Sequence, residues 1–128
     1  MKLELFIAGR PISVNSAYAV RARGHGAKRL YMRPAAVAWK QTVEMEVRQA
    51  IWHQFKASQV EWKKPISISY EFQGCAGDAD NRIKLVCDSI SRAIGIDDRH
   101  FSIGKATISR SGQPGVYITI QDAEEDAA

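Results

Sequence analysis

Residues 71–98 read EFQGCAGDADNRIKLVCDSISRAIGIDD, and the fold turns on how this stretch divides. It overlaps the end of PISISYEF (65–72), where Ile66, Ile68, Tyr70 and Phe72 alternate with polar residues. That is the period of a half-buried strand, and GCAGD ends it. Beyond it Ile83, Val86, Cys87, Ile90 and Ile94 recur at three- and four-residue steps. The spacing predicts an amphipathic helix from about Asp80 to Ala93, with Gly95 where a left-handed C-terminal cap belongs. DDRHF then reads as a turn. The same stretch concentrates Asp78, Asp80, Asp88, Asp97 and Asp98 in a chain of net charge +4.

Working outward, KLELFIAG reads as a first strand and RPISVNSAYAVRARGHGAKRLYMRP as a loop or ragged hairpin with a basic, mobile tip, RARGHGAKR. Its strand-like patches are Tyr18–Arg21 and Leu30–Met32. Pro34 suits the first turn of a helix. Trp39, Val43, Val47, Ala50 and Ile51 carry that helix to about Ala57, and Trp39, Trp52 and Trp62 are assigned mostly to packing. After the DDRHF turn comes a strand near Phe101–Arg110, then GQPG, then VYITIQ as its hairpin partner. The order β-α-β-α-β-β defines an α+β fold with two helices on a mixed sheet. Residues 1–121 form one domain, and 122–128 (DAEEDAA) an acidic disordered tail.

At 128 residues the chain is sized for one core and not two. It has no run of membrane-spanning length, and MKLELFIAGRP is too short and too acidic for a signal peptide. A cytoplasmic protein with reduced Cys75 and Cys87 is expected. Those cysteines and His25, His53 and His100 lack zinc-ligand spacing. Charge is unevenly spread: residues 1–64 hold twelve Lys/Arg against four Asp/Glu, and residues 65–128 hold six against ten. Between Glu4 and Glu44 there is no acid, while Arg10, Arg21, Arg23, Lys28, Arg29, Arg33 and Lys40 accumulate. With Tyr18 and Tyr31 as stacking faces and glycines that allow close approach, this segment suits a phosphate backbone. Its bland alternative is a solvated surface loop.

The aspartates admit two readings. Asp78 closes a strand, Asp80 opens a helix, and Lys84 and Asp88 climb the same side as Asp80, away from the apolar stripe. If these converge with Asp97 or Asp98, the ionised carboxylates need a cation, and hard oxygen donors select Mg²⁺ or Mn²⁺. Lys84 is then a fixed positive charge near a phosphate, with Asn81 available to orient a ligand. The alternative makes Asp80 an N-cap, Asp80–Lys84–Asp88 a ladder of i,i+4 pairs, and Asp97-Asp98 turn chemistry.

Taken jointly, DADN…K…D…GIDD resembles the core motif of RusA-type Holliday junction resolvases: D-x-D-N, a lysine four residues after the second Asp, a further helical Asp, and a D-D pair in the next turn. PISVNSAY…YMRPAAVAWK is similar to that family's Pro-x-x-x-Asn…Tyr entry, basic loop and helix. The likeness runs over roughly residues 3–120. It implies metal ligands at Asp78, Asp80 and Asp98, with Asp97 beside them, and a catalytic Lys84. It also implies a homodimer that nicks opposing strands of a four-way DNA junction in recombination and repair, with Mg²⁺ or Mn²⁺ as cofactor. Asn15, Arg21, Arg23, Lys28, Arg29 and Arg33 are the expected DNA contacts. One departure is that the family's arginines before the first Asp are replaced here by QGCAG. The competing expectations are a non-catalytic DNA-binding module and a nuclease of other branched DNA.

Overall fold

The computed structural model describes residues 1–23 and 27–123, with the side chains of 20–23 and 27–29 left aside. Strand β1 (Lys2–Ala8) leads into a one-turn helix α1 (Val14–Ala17), capped where the Ser13 hydroxyl accepts from the Ser16 amide at 3.3 Å. Strands β2 (Tyr18–Arg23) and β3 (Ala27–Met32) pair as an antiparallel hairpin. Helix α2 (Pro34–Phe55) follows, with proline in its first turn. Strand β4 (Ile66–Gln73), helix α3 (Asp80–Ile94), a 3-10 turn (Asp98–His100), strand β5 (Phe101–Ser109) and strand β6 (Gly115–Gln121) complete the chain. This is the expected α+β class, with α1 as an unforeseen third helix and β2–β3 as a separate small sheet.

The main sheet runs β1-β6-β4-β5. Strands β4 and β5 are parallel, while β6 lies antiparallel to both β1 and β4. The expected β5–β6 hairpin is therefore corrected: β4 lies between the two strands. Burial explains the order. Val116, Ile118 and Ile120 of β6 are fully buried, as a central strand requires, whereas β5 is exposed along most of its length and forms an edge. To reach β6 the chain crosses the end of β4 at Gly74, whose amide donates to the Ser111 carbonyl at 3.0 Å. Gly74 has φ +68°, and a Cβ there would sit 2.6 Å from the Pro114 backbone. Only glycine fits that crossing.

Helices α2 and α3 pack on one face of the sheet. Trp39, Val43, Val47 and Ile51 from α2 and Ile83, Leu85, Val86 and Ile90 from α3 meet Leu3, Ile7, Ile66, Ile68, Tyr70 and Phe72. Each side chain fully withdrawn from water contributes about 1.5–3 kcal/mol. Trp62 is buried too, but Trp52 is 56% exposed, which corrects its packing assignment. The period that buries Val43, Val47 and Ile51 turns position 52 outward. The opposite edge of the sheet is covered by Gln54 of α2, whose amide nitrogen donates to the Glu4 carbonyl at 2.7 Å.

Past β6 the chain keeps contact with the body for two more residues. Asp122 is 7% exposed and belongs to the folded body. Its carboxylate accepts from the Met1 amine at 2.8 Å and from the Lys63 amide at 3.0 Å, and Ala123 donates to the Lys63 carbonyl. Residues 124–128 of the expected tail lie outside the described residues, as does the tip of the basic loop at 24–26. Among the described residues, no helix is long and apolar enough to cross a membrane.

Candidate active site

The β4–α3–β5 unit carries the acidic stretch. Helix α3 starts at Asp80 because GCAG cannot extend either element, and it ends at Gly95, φ +71°, whose amide donates to the Ser91 carbonyl at 2.9 Å. Its buried stripe fixes the opposite side of the helix toward solvent. That side, together with the 3-10 turn and β5, forms an open trough lined by Asp80, Ile83, Lys84, Cys87, Asp88, Asp98 and Ile103. Isoleucines supply part of the floor and walls, and charged groups punctuate them.

Within the trough the bland roles go unfilled. The residue flanking the helix start is Ala79, itself helical at φ −59° and ψ −40°, and no side chain caps the helix. Asp80 is therefore not an N-cap. The i,i+4 ladder is not formed either. Asp88 pairs across to Lys40 of α2 at 3.8 Å, and among the described residues no ion pair engages Asp80, Lys84 or Asp98. These three charged side chains are exposed in the trough without a counter-charge, and Asp98 has its neighbour Asp97 beside it.

The turn separates the two neighbouring aspartates. Asp97 caps it, accepting from the Arg99 amide at 3.0 Å, and that bond holds its carboxyl below the usual range. Asp98 instead faces the trough. Its charge reaches the Cys87 thiol, which burial above all pushes up, with Asp98 and Asp88 adding to the rise and Lys84 opposing it. Beside that thiol, burial raises the Tyr70 phenol far above its ordinary value. Both groups stay protonated, so Cys87 is a neutral part of the floor rather than a nucleophile.

Other expected residues are more dispersed. Asp78 is exposed on the loop before α3 and is not among the trough's lining residues. Asn15 is exposed on α1, which packs against α3. Asn81 is half-buried in the first turn of α3. Arg33 is exposed where the hairpin joins α2. The side chains of Arg21, Arg23, Lys28 and Arg29 lie outside the described residues, although their backbone forms the β2–β3 hairpin. One trough residue has no signal in the sequence: Ile103, 58% exposed, joins the site only because the parallel β4–β5 pairing sets it beside α3.

The donor set limits how a divalent cation could be held. Asp80 and Asp88 are two helical turns apart, about 12 Å along the axis. Among the described residues, no three His, Cys, Asp or Glu side chains gather as a group that could hold a metal ion. Magnesium, however, is commonly held by one or two carboxylates, its own waters and substrate phosphates rather than by a closed protein cage. The open trough, with hard oxygen donors and no competing thiolate, fits that kind of site in its chemistry.

The family model described as Endodeoxyribonuclease RusA, a class of endodeoxyribonucleases, matches residues 8–121. The chain belongs to the RusA endodeoxyribonuclease family, over nearly its whole length. No curated protein matches it.

Proposed function

We propose that this protein is a Mg²⁺- or Mn²⁺-dependent endonuclease that resolves four-way DNA junctions, acting in the cytoplasm as a homodimer that nicks two opposing strands. The observation that carries the reading is the unpaired set Asp80, Lys84 and Asp98 in one open trough, on a chain of the RusA family. A protein that used these groups as caps and ladders would have spent them on backbone amides and on each other.

Asp80 and Asp98 would hold the ion, with Asp78 on the adjoining loop as a further donor. When bound, such an ion supplies Lewis-acid charge and an acidified water. Lys84, midway along the trough wall, attracts the phosphodiester and offsets charge developing on its oxygens. Ile83, Cys87 and Ile103 shed water from the trough when DNA covers it, which strengthens the action of those charges. Asn15, Arg33 and the basic hairpin supply phosphate contacts that orient the duplex arms without reading sequence. Two copies related by a two-fold axis match a substrate that needs two related cuts.

The test compares a mobile four-way junction with fork, flap and linear duplex, each with and without divalent metal. Paired nicks confined to the junction and dependent on metal are expected. Salt-sensitive binding with no cleavage in any metal would instead mark a non-catalytic DNA-binding module. Equal cutting of forks or flaps would mark a broader branched-DNA nuclease.

A further inference from the structure

The loop that bears Asp78 is poorly supported by packing. Its start is held by the Gly74 amide on the Ser111 carbonyl at 3.0 Å and the Cys75 amide on the Ser109 carbonyl at 3.2 Å. Gly77, at φ +103°, has no atom within 4 Å of where a Cβ would stand. Ala79 is tied to the helix through its carbonyl, which accepts from the Arg82 and Ile83 amides, but for residues 76–78 one hydrogen bond is found among the described residues: Arg82 Nη2 donates to the Ala76 carbonyl at 2.8 Å. The other end of the same guanidinium, Nη1, donates to the Pro11 carbonyl. Pro11 lies 71 positions away in sequence and opens the segment that runs into α1 and Asn15.

We propose that Arg82 is a positioning residue of the active site, its guanidinium fork bonding the Pro11 and Ala76 carbonyls so that the Asp78 loop and the α1 entry are locked onto the first turn of α3. The inference rests on the nuclease reading for its functional consequence. The geometry asks for arginine in particular. A planar fork presents two nitrogens to two separate carbonyls at once, whereas an ammonium directs its three N–H groups from one nitrogen. Arg82 sits two residues from Asp80 and two from Lys84, so its tie is made at the point where the loop must hand over to the helix. Its charge is spent on neutral carbonyls rather than on a carboxylate, which leaves Asp78 and Asp80 free.

The test uses Arg82→Gln and Arg82→Lys in the full chain. Amide hydrogen exchange is read in peptides spanning 9–17 and 74–80 and in the core strands β4 and β6. Single-turnover junction cleavage and junction affinity are measured alongside. In Arg82→Gln, exchange at both tethered segments should rise about tenfold while the core strands keep wild-type protection. Cleavage should fall about 10²-fold, the scale of a small misplacement of catalytic groups, with affinity nearly unchanged. Arg82→Lys keeps the charge and should recover little of either. Unchanged exchange in Arg82→Gln, a lysine variant equal to wild type, or a rise in core exchange that tracks the loops would each overturn the proposal. Should the wild type cut no junction, the exchange measurements still decide the clamp, and the nuclease reading falls separately.

Discussion

Lys84 and Asp122 are both charged, yet the structure uses them in opposite ways. Lys84 is exposed with no ion pair among the described residues, so replacing it removes nothing that holds the fold. Lys84→Met should leave stability within about 0.5 kcal/mol of wild type, as judged by urea unfolding. Cleavage should fall about 10²–10³-fold, the usual loss for a group that stabilises developing charge. Asp122 is buried against the Met1 amine and the Lys63 amide, and despite the cost of burial those bonds hold its carboxyl below the ordinary range. A depressed folded-state pKa gives stability that is present above the unfolded value, near 3.9, and is lost as pH falls through the folded value. Asp122→Asn should therefore cost about 1.5–3 kcal/mol near pH 6, with the gap to wild type closing as the pH falls below about 4. Urea midpoints across that range check it. The sequence made the first residue legible and hid the second. D-x-D-N with a lysine one turn on is a local pattern, whereas Asp122 sits in an acid-rich terminus and acquires its role from partners 121 and 59 residues away.

Among the elements, α3 was readable because its signals are local: a stripe of Ile83, Val86 and Ile90, and Gly95 as the stop. The place of β6 was not. Its alternation of Val116, Ile118 and Ile120 says that it is a strand, but its neighbours are chosen by β1 and β4, far off in sequence. The crossing at Gly74 enforces that choice. Gly74→Ala should destabilise the domain by about 1–3 kcal/mol, since the residue must keep a positive φ against the Pro114 backbone. Thermal unfolding reads this directly. The 3-10 turn makes a sharper functional claim, because one aspartate caps it and the next faces the trough. Asp97→Asn should retain most of its junction cleavage, while Asp98→Asn should lose it by about 10²-fold or more. Equal losses in side-by-side cleavage assays would show that the turn, rather than the Asp98 carboxylate, matters.

For the molecule as a whole, the acidic stretch and the basic segment fall on different elements. The α2–α3 face of the sheet carries the core, and the trough of Asp80, Lys84 and Asp98 opens beside the parallel β4–β5 pair. The β2–β3 hairpin forms a small sheet of its own, ahead of α2 in the chain. A DNA backbone attracted by the hairpin and α1 would meet the acids only if a cation accompanied it, which couples binding of the substrate to binding of metal. That coupling makes Asp80, the unpaired carboxylate at the start of α3, the most telling position. Single-turnover cleavage of a four-way junction by Asp80→Asn, with junction affinity measured on the same preparation, probes it directly. Cleavage reduced about 10³-fold, with binding retained or tightened as repulsion of phosphate falls, is the predicted result. Cleavage at the wild-type rate would contradict the assignment of the trough as the site of phosphodiester hydrolysis.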